Sequence, residues 1–475
     1  MGKKNDKIRV RFVGHASHEV TGSCVHIQTE TKQILLECGL AQSCESPLAL
    51  YKKNAADMGF KPRQIDYIFI GHSHADHISL IPRLFKKGSS ACVIAPAGTA
   101  TISKILLKDS AHIAAKDAEF IEKRTGKFCE PLYDDSDVEN TMAHWTEYDF
   151  GVIHELDENI SFRFTPSGHI LNSAQIEIFI KQNGLVKKIA YTSDLGNTTT
   201  KNYYVNEFKP IEQCNLLIGE TTYSDPIRTI GKKDRAKDLE KIKSIIQNKV
   251  VEGYGRVLFP VFANARCQMI LSLLHEIFGN DETFNVPILI DSPMAVAISK
   301  AYLDLLDGDE REKYQQALFW KNVKCIEDYS DSKSWQLSGT PCVILASSGM
   351  MQAGRSTSWA ARLLPNAQNH IMFCGFSTEG SLAAKIKEGK HKTLRIDGKP
   401  VANRCGITSL NSFSSHAQFE SLLHYYSSVN CEKIALVHGD YDSKVEFSKI
   451  LEGEISKNNK TSRVVCVNRT TEILL

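Results

Sequence analysis

The densest chemistry in the chain is His72-Ser73-His74-Ala75-Asp76-His77. Three imidazoles and a carboxylate within one short motif make a donor set for a divalent metal, and the motif follows directly on the apolar run Tyr67–Ile70. Alternate side chains of an extended segment point the same way, so His72 and His74 can grip one ion. The turn that follows can offer Asp76 and His77 to a second. Imidazole and carboxylate donors suit Zn2+, with Mn2+ or Fe2+ as alternatives. The competing reading, a surface histidine cluster, fits neither Asp76 nor the preceding strand. Three more donors stand at comparable points: His169 in Ser167-Gly168-His169, Asp194 in Thr192-Ser193-Asp194-Leu195-Gly196, and His438 in Val437-His438-Gly439-Asp440. Each alone is an ordinary cap or turn residue. Together they supply the missing ligands, in loops at a sheet edge where α/β folds place chemistry.

Donors spread this widely need strands that end in one place. Short apolar runs bounded by Gly, Asp, His or Ser recur at Gln33–Leu36, Tyr67–Ile70, Ser161–Thr165, Lys188–Tyr191, Asn215–Ile218, Val257–Pro260, Ile288–Ile290, Val343–Ala346, Ile371–Cys374 and Ile434–Val437. Runs of this kind predict buried strands. Met269, Ile270, Leu273, Leu274 and Ile277 form a helical stripe over Arg266–Phe278, and Phe419, Leu422, Leu423 and Tyr426 form another. The fold class is therefore α/β.

At 475 residues the chain is long enough for two or three domains. Lys and Arg number 57 against 55 Asp and Glu, a net charge of +2, so no strong basic excess marks a nucleic-acid partner. Positive surface for such a partner must be local, or supplied in part by bound metal. The 13 cysteines, an odd count, include no Cys-x-x-Cys pair, which argues against both a disulfide framework and a thiolate zinc site. No apolar run approaches ~18 residues, and the start resembles no signal peptide, so a cytoplasmic protein with no membrane partner is expected. Lys385–Arg395, the densest charge cluster, reads as a solvated helix end or loop.

His-x-His-x-Asp-His, then Gly168-His169, then Ser193-Asp194 resembles the ordered motif set of the metallo-β-lactamase superfamily. Glu220 in Gly219-Glu220-Thr221, His416 in Ser414-Ser415-His416, and His438 resemble the further motifs of its β-CASP nucleases. Smaller matches, among them Glu19-Val20-Thr21-Gly22-Ser23 and Asp291-Ser292-Pro293-Met294-Ala295, extend the similarity over nearly the whole chain. It looks closest to bacterial and archaeal relatives of the endonuclease subunit of the cleavage and polyadenylation specificity factor. The resemblance implies a metallo-β-lactamase αββα sandwich over residues 1–215 and 401–475, with a β-CASP α/β domain inserted over 216–400.

It also implies roles. His72, His74 and His169 would hold one Zn2+, Asp76, His77 and His438 the other, and Asp194 would bridge them. A hydroxide activated by the two metals would attack an RNA phosphodiester, and His416 would protonate the leaving oxygen while Glu220 holds it by a hydrogen bond. The catalytic candidates are thus His416, Glu220 and Asp76, with Glu37 supporting the ligands from behind. Ser347-Ser348-Gly349 and Ser377 resemble loops suited to phosphate. Arg355 and Phe413 are candidates for phosphate and base contact, though an ordinary surface Arg and a core Phe are the default readings. The implied partner is RNA, single-stranded, and a homodimer stays open because relatives often form dimers. A DNA nuclease on the same fold, a non-catalytic scaffold subunit and an ester or thioester hydrolase are the alternatives; retention of all seven ligands speaks against the scaffold.

The chain departs from the family pattern at four points. Glu37 stands where Asp is usual, Asn172 where Gly is usual, Gln418 where many relatives have Asp, and Ala265 where a helix-opening Gly is usual. None removes a predicted ligand.

Overall fold

A computed structural model of the protein describes residues 7–42, 46–197, 203–226, 234–375, 377 and 380–475. The chain divides into two compact units, one comprising residues 1–231 and 415–475, the other residues 232–414. The boundary expected after residue 215 falls inside a strand, Gln213–Glu220, which belongs to the first unit.

The first unit holds two seven-stranded sheets. One runs in the order Glu472–Leu474, Arg9–Phe12, Val25–Gln28, Gln33–Leu36, Tyr67–Phe69, Cys92–Pro96, Trp145–Tyr148. The other runs Arg463–Cys466, Asn430–Val437, Gln213–Glu220, Leu185–Tyr191, Ala174–Gln182, Ile160–Pro166, His154–Glu155. The period of two along each strand explains how these become the middle layers of four. Ile34, Leu36, Phe69 and Ile94 of the first sheet share one core with Ile176, Ile189, Tyr191, Leu216, Ile218 and Val437 of the second. The alternate residues Leu35, Ile68 and Val93 pack instead among Ile81, Leu84, Leu107 and Val138 of helices Ile81–Lys86, Ala100–Thr125 and Asp135–Ala143. Ala190, Leu217, Ile434 and Leu436 pack among Leu422, Tyr426, Phe447 and Leu451 of helices Phe419–Ser428 and Tyr441–Lys457. Strands buried on both faces read as continuous apolar runs, and the result is an αββα sandwich.

Four strands of the second sheet set up the centre. Leu185–Tyr191, Gln213–Glu220 and Asn430–Val437 are parallel neighbours, with Tyr191 opposite Ile218 and Glu220 opposite Val437. Their carboxyl ends, with that of Ile160–Pro166, lead into Asp194, Glu220, His438 and His169 along one edge.

The second unit is built on a six-stranded sheet in the order Val323–Ile326, Ile288–Asp291, Cys342–Ala346, Arg256–Pro260, His370–Phe373, Gly406–Ser409, every pair parallel. Parallel neighbours need crossovers, and helices such as Arg266–Phe278, Pro293–Leu305 and Arg355–Leu363 supply them. Of Lys385–Arg395, the helix Leu382–Glu388 and a hairpin strand Thr393–Ile396 take up the ends. Its lysines are exposed except Lys387, whose Nζ donates to Gly375 O at 2.6 Å and whose burial lowers its ammonium to about 8. All twelve cysteines among the described residues are free, and among those residues no helix is long and apolar enough to cross a membrane.

Candidate metal centre

Tyr67–Phe69 ends just before His72, and the chain then passes through His74 into the one-turn helix Ala75–Ile78, which carries Asp76 and His77. Close backbone approach makes this possible. A Cβ on Gly39 would run into the carbonyl of Asp76, and one on Gly196 into the carbonyl of Gly168, so these turns tolerate only glycine. His438 follows its strand with φ 53°, and its N–H donates to Ala16 O at 2.6 Å.

The seven predicted donors converge on one pocket in two groups. His72, His74, His169 and Asp194 present ligand atoms all within 4.8 Å of one another, and Asp76, His77 and His438 do the same. Asp194 faces both groups. Its Oδ2 lies 3.7 Å from His72 Nε2 and 3.5 Å from His169 Nε2, while its Oδ1 lies 3.4 Å from His77 Nε2 and 3.6 Å from His438 Nε2. Asp76 Oδ2 is 3.7 Å from His77 Nε2 and 3.5 Å from His438 Nε2.

The unsatisfied atoms test whether this pocket fits a cation. His77 Nε2, Asp194 Oδ1 and His438 Nε2 are buried without a hydrogen-bond partner. An orphan buried polar atom costs on the order of 1–3 kcal/mol, and three of them converging on one point are explained by a metal ion. The far sides of three of the rings are held. His77 Nδ1 donates to Glu37 Oε2 at 2.5 Å, His72 Nδ1 lies 3.1 Å from Ser193 Oγ, and His438 Nδ1 lies 3.0 Å from Thr222 Oγ1. Glu37 also accepts from Tyr191 Oη at 2.6 Å and Ser193 Oγ at 2.7 Å. Such outer contacts aim ligand rings.

Burial pushes His72 and His169 well below the ordinary imidazole value and His74 down to about 4, so these three stay neutral, the form that ligates metal. Burial acts the same way on His77 and His438, but carboxylates outweigh it. Glu37, Asp194 and Asp76 raise His77 well above its usual value, and Asp194 and Asp76 raise His438. Burial alone would raise Asp194, but His438, His77 and His416 hold it well below the usual range.

His416 sits beside the ligands and differs from them in exposure, with 21 % of its side chain open to solvent against 0–3 % for the ligand histidines in contact with Asp194. Its Nδ1 is 3.4 Å from Glu220 Oε1, its Nε2 is 3.9 Å from Asp194 Oδ2, and its ring lies 4.4 Å from that of His169. Glu220 is fully buried and anchored, accepting from Leu195 N at 3.2 Å and Thr222 N at 2.7 Å.

In the second unit, Ser347 is buried and its backbone carbonyl accepts from Ser356 N at 2.8 Å, while Ser348 Oγ donates to Ala353 O at 3.3 Å. Gly349 lies against the Phe262 ring, and Ser377 is half-exposed; its neighbour Phe376 lies outside the described residues. Arg355 pairs at 2.8 Å with Asp291, a buried carboxylate that also accepts from Ser332 and Trp359, so it is committed to the fold. Phe413 is 1 % exposed, a core residue under the Arg235 guanidinium. Phe413 is thus the core residue of its default reading, whereas Arg355, with 15 % of its side chain exposed, is a structural arginine rather than an ordinary surface one. The four departures also find their places. Asn172 has φ 58°, which Asn tolerates better than most residues, whereas Ala265 has φ 67°, a strained value for Ala. Gln418 precedes helix Phe419–Ser428 without capping it, its amide donating to His416 O at 2.9 Å instead. Tyr191, Ser193 and Thr222 were not expected; Ser193 adjoins Asp194, but nothing in the residue types marks the other two.

Three family descriptions match along the chain: the metallo-beta-lactamase superfamily over residues 19–101, the Beta-Casp domain over 267–386, and the Zn-dependent metallo-hydrolase RNA specificity domain over 400–462. A transcription termination factor FttA of Methanocaldococcus jannaschii is 28% identical over 93% of this chain and 68% of its own length. A ribonuclease of Thermus thermophilus is 28% identical over 92% of this chain and 94% of its own. Cleavage and polyadenylation specificity factor 73 of Drosophila melanogaster is 26% identical over 97% and 64%. A solved protein of unknown function from Enterococcus faecalis shares the fold, with TM-score 0.54 at 12% identity, covering 99% of this chain and 100% of that one. With its sandwich, its converging donors and these matches in order along the sequence, the chain carries a metallo-beta-lactamase domain, a Beta-Casp domain and a Zn-dependent metallo-hydrolase RNA specificity domain.

Proposed function

We propose that the protein is a metal-dependent ribonuclease that hydrolyses RNA phosphodiester bonds at a two-zinc centre. The observation that carries this reading is Asp194, whose two oxygens face two separate donor groups beside buried nitrogens with no other partner. His72, His74 and His169 would hold one ion, Asp76, His77 and His438 the other, with Asp194 between them. Bound metal supplies an acidified water as nucleophile and positive charge against the phosphate oxygens.

The remaining chemistry belongs to the chain. A leaving ribose oxygen needs a proton, and His416 is the imidazole at the open side of the centre. Glu220 Oε1 accepts from its Nδ1, which fixes the ring and leaves Nε2 as the face that delivers the proton. Glu220 is thus a positioning residue. Two relatives support RNA as substrate, one named a ribonuclease and one, from Schizosaccharomyces pombe, an endoribonuclease.

End-labelled RNA and a DNA strand of matching sequence, incubated with the protein before and after chelation and with Zn2+ or Mn2+ restored, test the proposal. Metal-restored cleavage of RNA in preference to DNA is expected. Preference for DNA, or full activity in chelator, would overturn it.

A further inference from the structure

We propose that His15, His18 and Glu19 form an accessory site for a borderline transition-metal cation of the Zn2+ type, separate from the centre around Asp194. One donor atom from each residue lies within 4.8 Å of the other two. The backbone gathers them. His15–Ser17 is a 3-10 turn, and the N–H groups of His18 and Glu19 both donate to His15 O at 3.0 Å. Side chains three apart lie on one side in this geometry, which brings His15 beside His18 with ring centroids 6.1 Å apart and planes tilted by 56°. His18 Nε2 lies 3.5 Å from Glu19 Oε1.

Two features point to a ligand. His15 Nδ1 is buried with no hydrogen-bond partner, as are the unsatisfied nitrogens of the main centre. Glu19 already holds a cation, the Lys53 ammonium, at 2.7 Å from Oε1 and 2.5 Å from Oε2. A divalent ion that also gains two imidazoles can replace the monovalent ammonium at this carboxylate. Lys444 and Arg469 are the other charged groups facing the histidines, and both oppose the ion, so tight binding calls for nitrogen ligation. Two nitrogens and one oxygen favour Zn2+ or Co2+ over Mg2+ or Ca2+. The site also touches the seat of a main-centre ligand, because Ala16 O and Glu19 O accept the N–H groups of His438 at 2.6 Å and Gly439 at 3.0 Å.

The test is a Co2+ titration of the chelator-stripped full chain, read by equilibrium dialysis and by the d–d absorption bands. His15→Ala with His18→Ala is expected to bind one equivalent fewer than wild type, and His15→Gln with His18→Gln the same if the alanine pair folds poorly. Lys53→Met removes the competing cation and is expected to tighten that one equivalent by up to about fivefold, the strength of an ordinary ion pair. Equal stoichiometry in wild type and a folded double variant, with Lys53→Met unchanged in affinity, would overturn the proposal.

Discussion

His77 donates to Glu37 across 2.5 Å with both side chains fully buried. Glu37 occupies a position where Asp is the family habit, and its backbone adopts φ 60°. From there its carboxylate meets His77, Tyr191 and Ser193 together, and Ser193 in turn sits against His72. One buried acid therefore braces a ring in each donor group.

Glu37→Gln keeps the shape and removes the charge. Metal affinity is expected to fall roughly 10–100-fold, the usual effect of losing an outer partner of a ligand histidine. Chelator competition followed by metal analysis measures it, and wild-type retention would contradict the bracing role.

Asp194 faces both donor groups and Asp76 only one. Asp194→Ala is expected to lose more bound metal than Asp76→Ala under identical dialysis, and both to abolish cleavage. Equal losses, or wild-type cleavage by the Asp76 variant, would count against a shared centre.

His416→Ala removes a partly open imidazole that belongs to neither group. Cleavage is expected to drop roughly 10²–10⁴-fold, the range for a lost general acid, with metal content nearly intact. Loss of metal would assign His416 to the ligands instead. Glu220→Gln is expected to move the pH profile of cleavage while leaving metal content unchanged, an effect that a purely structural role would not give.

Acid stability should depend on His26, which belongs to neither donor group. Burial, then the Arg11 guanidinium 2.7 Å away, lowers its imidazole to about 4. The folded value lies below the unfolded one, so the unfolded chain takes the proton first as pH falls. The stability is complete above about pH 6.5 and is lost through the window down to about 4, with an upper bound of about 3 kcal/mol. His26→Gln is expected to flatten this part of a melting-temperature profile relative to wild type, and an unchanged slope would refute the assignment.

The donors were legible in the sequence because metal chemistry restricts residue type, and because apolar runs buried on both faces announce where strands stop. The residues behind them were not. Tyr191, Ser193 and Thr222 are common residue types whose contacts arise only from the register of neighbouring strands. Helix Ala100–Thr125 was hard to see for a different reason. Its buried stripe rests partly on Ala111 and Ala118, while Ile113 and Phe120 are each 48 % exposed, which blurs the helical period. The break at residue 215 was misleading because Gln213–Glu220 pairs on both sides, with a strand before it and a strand far beyond the intervening unit.

That last pairing bears on how the protein comes into being. Thr221 is bonded to the carbonyl of Val437 across 216 positions, so the segment carrying His438 reaches its slot only after the whole intervening unit has been synthesised. On the proposed ligand set, a metal ion that meets the growing chain earlier would find six of the seven donors. Contacts this remote in sequence form slowly, so the pairing that seats His438 is expected to close after the local structure around the other donors has formed.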